Sequence, residues 1–206
     1  MQRIGILGGT FDPVHLGHLI PAQYALEHLG LDRLLLVPSA APVHRPLHVP
    51  ASPEHRLRMC QLAAADIPRF EASDIEARRT EPSFTVLTLE HFTRTMPAGT
   101  RFYLLVGEDN LPLLHTWRDI RRIADLAAIS ILPRPCDHGA APPDTTALES
   151  LLGLAAVRDI LGRWVPGPRI PVSATEIRRR IHDGQSIAGL VPASVAAYIA
   201  QHRLYL

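Results

Sequence analysis

Two imidazoles three residues apart, His15 and His18, lie in the run Gly8-Gly9-Thr10-Phe11-Asp12-Pro13-Val14-His15-Leu16-Gly17-His18. On the first turn of a helix that spacing puts both rings on one face, where each can donate a hydrogen bond to a phosphate oxygen. The glycines remove Cβ atoms so that backbone N–H groups can approach an anion, and a helix start adds partial positive charge. Gly17 clears room for a flat base or a ribose. A glycine turn bearing two surface histidines is the bland alternative, and the flanking pattern argues against it.

Four further places could carry chemistry. His44-Arg45 lies in the proline-punctuated stretch Ser39 to Pro50, which reads as a loop leaving the carboxyl end of a strand. It is either solubilising charge or a bidentate phosphate contact. Thr85 opens a helix, as an ordinary start or as a receiver for a substrate carboxylate. Gly107-Glu108-Asp109 follows a strand directly, so Asp109 could reach a ribose hydroxyl or a phosphate-held magnesium ion, or cap a helix. Trp117, in the polar setting His115-Thr116-Trp117-Arg118, either packs or offers a face for an aromatic ring. A last constellation is Val172-Ser173-Ala174-Thr175-Glu176-Ile177-Arg178-Arg179-Arg180, where Ser173 and Glu176 form a capping box and Arg178 falls in the second turn. Three consecutive arginines diverge on a helix, so one or two at most can serve one ligand.

These groups need a scaffold, and the hydrophobic pattern supplies one. Arg3 to Leu7 reads as a buried strand. Leu16 to Leu29 reads as a helix with Leu19, Ala22, Leu26 and Leu29 on one side, and Arg33 to Pro38 as a second strand. Strand-helix-strand is the unit of a parallel sheet. Ser52-Pro53-Glu54 opens a helix to about Ala65, Arg69 to Ala72 is a weak third strand, and Val86, Leu89, Phe92 and Met96 share a helical face. Arg101 to Val106 is the clearest central strand, Ala128 to Leu132 another, and Thr145 to Leu161 is helical. Leu190 to Tyr205 reads as a structural helical cap. The class is α/β, a Rossmann-like open parallel sheet with helices on both faces and a small C-terminal helical subdomain. One domain is expected over 1–206, with a nucleotide-binding core to about 170 and the helical part from about 171.

Composition narrows the chemistry. A net charge of +1 and a hydrophobic content of 47% describe an ordinary globule with no broad attraction to nucleic acid or membrane. No apolar run reaches membrane-spanning length and no signal-peptide pattern appears, so a cytoplasmic location is expected. Cys60 and Cys136 are far apart and read as plain thiols. All 21 basic side chains in the Lys+Arg count are arginine. That excludes a P-loop lysine, a Schiff base and a lysyl-adenylate, leaving a phosphate clamp of Arg, His, backbone N–H or metal. A histidine metal site from His15, His18 and His44 lacks a helical i, i+4 pair or an adjacent carboxylate.

The first stretch resembles the signature of the nucleotidylyltransferase superfamily, whose His-x-Gly-His motif binds ATP. The whole chain is similar to the bacterial nicotinate-nucleotide adenylyltransferases of NAD synthesis. That likeness covers Gly8 to His18, Pro38 to Arg45, Pro82 to Leu89, Gly107 to Asp109, Thr116-Trp117, Val172 to Arg178 and Leu190 to Tyr205. The resemblance implies transfer of AMP from ATP, with magnesium, onto nicotinic acid mononucleotide and release of pyrophosphate. It implies His15 and His18 on the phosphates as catalytic groups, with Gly8, Gly9, Thr10 and Phe11 lining the nucleotide site, where the reading of the residues also puts Gly17 and Asp109. Ser173 and Arg178 would grip the polyphosphate, while Thr85 and Trp117 fall on the nicotinate side with His44 and Arg45 in the matching loop block. The sequence departs from the family pattern at Ser39, Val43, Leu87, His115 and Arg118, and the last three are expected beside the pyridine. Arg118 there would favour a carboxylate over an amide. An adenylyltransferase of nicotinamide mononucleotide or another acceptor, and a nucleotide sensor without turnover, are the competing readings.

Overall fold

The computed structural model describes residues 1–40, 51–79, 83–135 and 143–206. Five strands form one sheet, β1 (Arg3–Gly9), β2 (Arg33–Pro38), β3 (Phe70–Ala72), β4 (Arg101–Gly107) and β5 (Ala127–Leu132), in the order β3-β2-β1-β4-β5. Every pairing is parallel. The sheet therefore grows outward from β1 in both directions, and the crevice at the carboxyl ends of β1 and β4 is the topological switch point where such sheets hold ligands.

The strands bury both faces, as their near-continuous apolar runs require. Leu7, Leu34, Leu36, Tyr103 and Leu105 point into one layer with α1 (Leu16–His28), α2 (Pro53–Ala65), α7 (Ala174–His182) and α8 (Ala193–Gln201). Ile4, Ile6, Leu35, Val37, Leu104 and Val106 point into the other, with α3 (Thr85–Thr95), α4 (Ile120–Leu126), α5 (Thr146–Leu152) and α6 (Leu154–Gly162). Each fully buried Leu or Ile contributes about 1.5–3 kcal/mol, which makes these two layers the main source of stability. Ile177, Val195 and Ile199 of α7 and α8 are buried in the layer that holds α1, so the C-terminal helices share a core with the nucleotide-binding strands. Cys60 is a free buried thiol whose pKa burial pushes up, while Cys136 lies outside the described residues.

The open parallel sheet and its helical layers agree with the pattern read from the sequence, and two local features depart from it. A 3₁₀ helix, Glu108–Thr116, and α4 fill the stretch between β4 and β5. Neither is long enough for a 3.6-residue period to emerge, and Pro112 interrupts the first. The helix expected from Thr145 to Leu161 breaks into α5 and α6 at Gly153, whose φ of 84° a helix cannot contain. Met96, the C-cap of α3, packs half-buried against the same layer as Val86, Leu89 and Phe92, as its spacing suggests. No helix among the described residues is long and apolar enough to cross a membrane.

Candidate active site

β1 delivers Gly8 and Gly9 to the carboxyl edge of the sheet, and the chain crosses to α1 through Phe11, held at φ 50° in the left-handed region. His15 does not belong to the first helical turn, as its spacing suggests. It is the N-cap of α1, extended at φ −149°, and makes no side-chain cap bond. The ring of His18 still lies over it, with centroids 3.8 Å apart and planes tilted by 31°, and the Phe11 ring meets His18 edge-on at 5.0 Å. His15 is only 2% exposed, with its Nδ1 buried and unpartnered among the described residues. Burial first, and the charge of Arg134 second, lower its pKa to about 3, so the ring is neutral near pH 7.

Gly17 clears space for protein rather than for a ligand ring. A Cβ there would stand 2.6 Å from the Val172 carbonyl oxygen and 2.9 Å from His15 Nδ1. Because glycine occupies this position, the segment entering α7 can lie directly on the start of α1. Leu16 N–H adds to the join by donating to the Leu190 carbonyl at 2.9 Å.

At that second helical start Ser173 accepts the Glu176 N–H at 3.2 Å, which is half of the expected capping box. The other half is absent because the Glu176 carboxylate takes Arg179 instead, at 2.8 and 2.9 Å. Arg179 also pairs with Asp183, and Arg180 binds the Ser186 carbonyl, so both are engaged away from the cavity. Arg178 points inward. Its Nη1 donates to the Asp12 carbonyl at 2.7 Å, and Ala174 and Arg178 border the same cavity as Gly9 and His18. The Ser173 side chain, occupied by its cap, does not border it.

That cavity encloses about 470 Å³ and runs from the glycine loop to α3. Gly8, Gly9, Thr10, Phe11, His18, Asp109 and Arg178 face it at one end, and Thr85, Trp117 and Arg118 at the other. Gly17 lies in a small adjoining recess with Arg134, and His15 sits behind His18 without reaching the wall. Asp109 is inside the 3₁₀ helix capped by Gly107 and does not act as its cap. Its carboxylate stands 3.9 Å from Arg134 Nε at the rim. His44 and Arg45 lie outside the described residues.

At the far end the Arg118 guanidinium covers the Phe84 ring at 4.7 Å, a cation–π contact that holds the charge at the cavity mouth. Of the three departures expected beside the pyridine, Arg118 alone borders the cavity. Leu87 packs into the core layer instead, and His115 Nδ1 turns back to the Pro112 carbonyl at 2.8 Å. One residue out of register on a helix or a 3₁₀ turn is enough to send a side chain to the opposite face, and sequence adjacency to Thr85 or Trp117 does not reveal it.

Sequence reasoning missed the supports. Arg56, 0% exposed, donates to the carbonyls of Thr10 at 2.8 Å, Ser39 at 2.6 Å, Ala40 at 2.9 Å and Ala51 at 2.9 Å. Its signal was present, since Arg56, Met59, Cys60 and Ala63 form one helical stripe, and an arginine on an apolar stripe calls for buried acceptors. Glu76, 7% exposed, borders the cavity and accepts the Thr88 hydroxyl at 2.6 Å. Burial raises its pKa, opposed by hydrogen bonds from Thr88 and Ser83 and by the charge of Arg79. Nothing in the local pattern of Ser73-Asp74-Ile75-Glu76 marked which acid turns inward.

Residues 6–180 match the family model described as cytidylyltransferase-like. A "probable nicotinate-nucleotide adenylyltransferase" of Synechococcus sp. (strain JA-3-3Ab) is 42% identical over 205 residues, covering 100% of this chain and 95% of that protein. Its namesake in Roseiflexus sp. (strain RS-1) is 43% identical over 203 residues, covering 98% and 97%. Among solved structures, Plasmodium falciparum nicotinic acid mononucleotide adenylyltransferase complexed with NaAD superposes with a TM-score of 0.72 at 18% identity, over 100% of this chain and 98% of that one. The last likeness is one of fold.

Proposed function

The chain belongs to the cytidylyltransferase-like family and, within it, to the nicotinate-nucleotide adenylyltransferases, and from that premise we propose how it works. It transfers AMP from ATP to nicotinic acid mononucleotide, giving nicotinic acid adenine dinucleotide and pyrophosphate. An ionised oxygen of the mononucleotide phosphate attacks the α-phosphorus of ATP, that P–O bond forms, and the bond to the bridging α–β oxygen breaks. The nucleophile already carries its charge, so the step needs neither a covalent enzyme intermediate nor a strong general base. Catalysis reduces to holding two anions in line and stabilising charge as it moves onto the departing pyrophosphate.

The observation that carries this reading is the single cavity bounded by His18 and Arg178 at one end and by Thr85 and Trp117 at the other. His18 and Arg178 donate to the triphosphate from two converging helix starts, with the backbone of Gly8, Gly9, Thr10 and Phe11 beneath it. Neutral His15 supports the His18 ring from behind, and Ser173 acts through the helix it caps. Asp109 at the rim accepts from a ribose hydroxyl. Trp117 stacks on the pyridine, and Arg118 draws its carboxylate. Magnesium would be held mainly by the triphosphate oxygens and water, as this ion ordinarily is beside polyphosphates. When bound, the ion supplies charge neutralisation across the phosphates.

The test is pyrophosphate release from ATP and magnesium with each pyridine mononucleotide. The acid should be the preferred acceptor. Preference for the amide would identify a different acceptor, and ATP binding without release from either would make the chain a sensor.

A further inference from the structure

The segment after α8 was expected to be a structural cap, and it reaches the nucleotide loop. Arg203 and Tyr205 hold φ angles of 52° and 67°, conformations that persist in non-glycine residues only where the surroundings enforce them. The bend directs the Tyr205 hydroxyl onto Asp12 Oδ1, to which it donates at 2.8 Å. The same oxygen accepts the Ala51 N–H at 3.0 Å. Asp12 is 3% exposed, and its other carboxylate oxygen stands 3.8 Å from Arg178 Nη1. That nitrogen is bonded to the Asp12 main-chain carbonyl at 2.7 Å instead.

A buried carboxylate beside a guanidinium ordinarily closes to a forked pair at about 2.7–2.9 Å, because both partners have lost water and each is the strongest ligand the other can find. Here the ion pair stays long, at 3.8 Å. The carboxylate cannot turn toward Arg178 without breaking the bonds from Tyr205 and Ala51, and Arg178 cannot swing toward the carboxylate without leaving the main-chain carbonyl. We propose that Tyr205 is a positioning residue for adenylyl transfer. By engaging Asp12 Oδ1 it keeps Asp12 from closing on Arg178, whose Nη2 donates to Thr175 Oγ1 at 3.4 Å, so that the guanidinium stays at the cavity wall for the triphosphate. Tyr205 does not itself border the cavity, so its effect passes through Asp12. The inference rests on the reading of Arg178 as a triphosphate ligand.

Tyr205→Phe removes the hydroxyl and leaves the ring. Steady-state kinetics with ATP and nicotinic acid mononucleotide would be measured for the wild type, Tyr205→Phe, Arg178→Ala and the double variant. Tyr205→Phe should lower kcat/KM for ATP by about tenfold, the scale of one hydrogen bond to a charged group, and leave KM for the mononucleotide within about twofold. In the Arg178→Ala background the same change should cost less than about twofold, since no guanidinium remains to be misplaced. A merely structural role would cost the same factor in both backgrounds, and that result, or no loss from Tyr205→Phe alone, overturns the proposal. Wild-type use of ATP by Arg178→Ala is a separate outcome that removes the triphosphate reading beneath it.

Discussion

The two ends of the cavity are built on opposite plans. At the triphosphate end the ligand-facing groups rest on buried polar supports. Arg56 gathers four carbonyls behind the glycine loop, Asp12 receives Tyr205 and Ala51, and Val172 lies against Gly17. At the pyridine end the wall is aromatic and half open, with Trp117 partly buried and Arg118 exposed over Phe84. Glu76 and Thr88, bonded to each other, are buried polar groups there. On the proposed placement of the ligands, the difference matches their chemistry. A triphosphate presents several charges that must be met at fixed points, and charge stabilisation depends on donors that do not reorganise. A pyridine ring presents a flat apolar face with one acidic substituent, which needs contact area more than rigidity.

That contrast can be broken at either end. The largest effect should come from His18→Ala, which removes a fixed donor and should lower kcat by about 100-fold or more. Turnover near wild type would take His18 out of the mechanism.

The second effect is on stability. His15 is neutral when folded, with a pKa lowered to about 3, but titrates near its ordinary value when unfolded. Between those values the unfolded chain binds the extra proton. Stability from this group is therefore complete above about pH 6.5 and is lost on acidification by about 1.4 kcal/mol per pH unit toward pH 3. Denaturant unfolding at pH 7 and pH 5 should show a steeper loss for the wild type than for His15→Asn. Equal slopes would mean that burial does not lower the imidazole's affinity for its proton.

At the other end Trp117→Ala should raise KM for the mononucleotide by about tenfold while KM for ATP stays put, in keeping with loss of one stacking face. A parallel rise in both constants would show that the two ends are not independent. The smallest effect belongs to Arg118→Ala. An exposed ion pair is worth about 0.2–1 kcal/mol, so the preference for acid over amide should shrink by about 1.4- to fivefold. An unchanged ratio would remove Arg118 from acceptor choice.

The same contrast governs what could be read from the sequence. The glycine loop, its strand and its helix are local, and hydrophobic period with the glycine turn located them to within a residue or two. His15 differs only in standing one step outside the helix. The arginine run resolved as geometry demands, with Arg178 inward and Arg179 and Arg180 engaged elsewhere. The supports were not legible because they join residues distant in the chain. Asp12 and Tyr205 are 193 positions apart, and Thr10 and Arg56 are 46 apart. At the pyridine end, Leu87 and His115 looked equivalent to Arg118 until the turn of a helix and of a 3₁₀ segment sent them elsewhere. The second helical opening was visible as a capping box, and its contact with the first was not, because Gly17 makes room for a carbonyl from residue 172 that no local pattern announces.

The central claim is that two helix starts grip one triphosphate. A crystal structure with magnesium and a non-hydrolysable ATP analogue tests it directly. His18 and Arg178 should both stand about 2.7–3.2 Å from oxygens of the same polyphosphate chain. A triphosphate bonded to one of them, with the other beyond reach and turned away, would contradict the account.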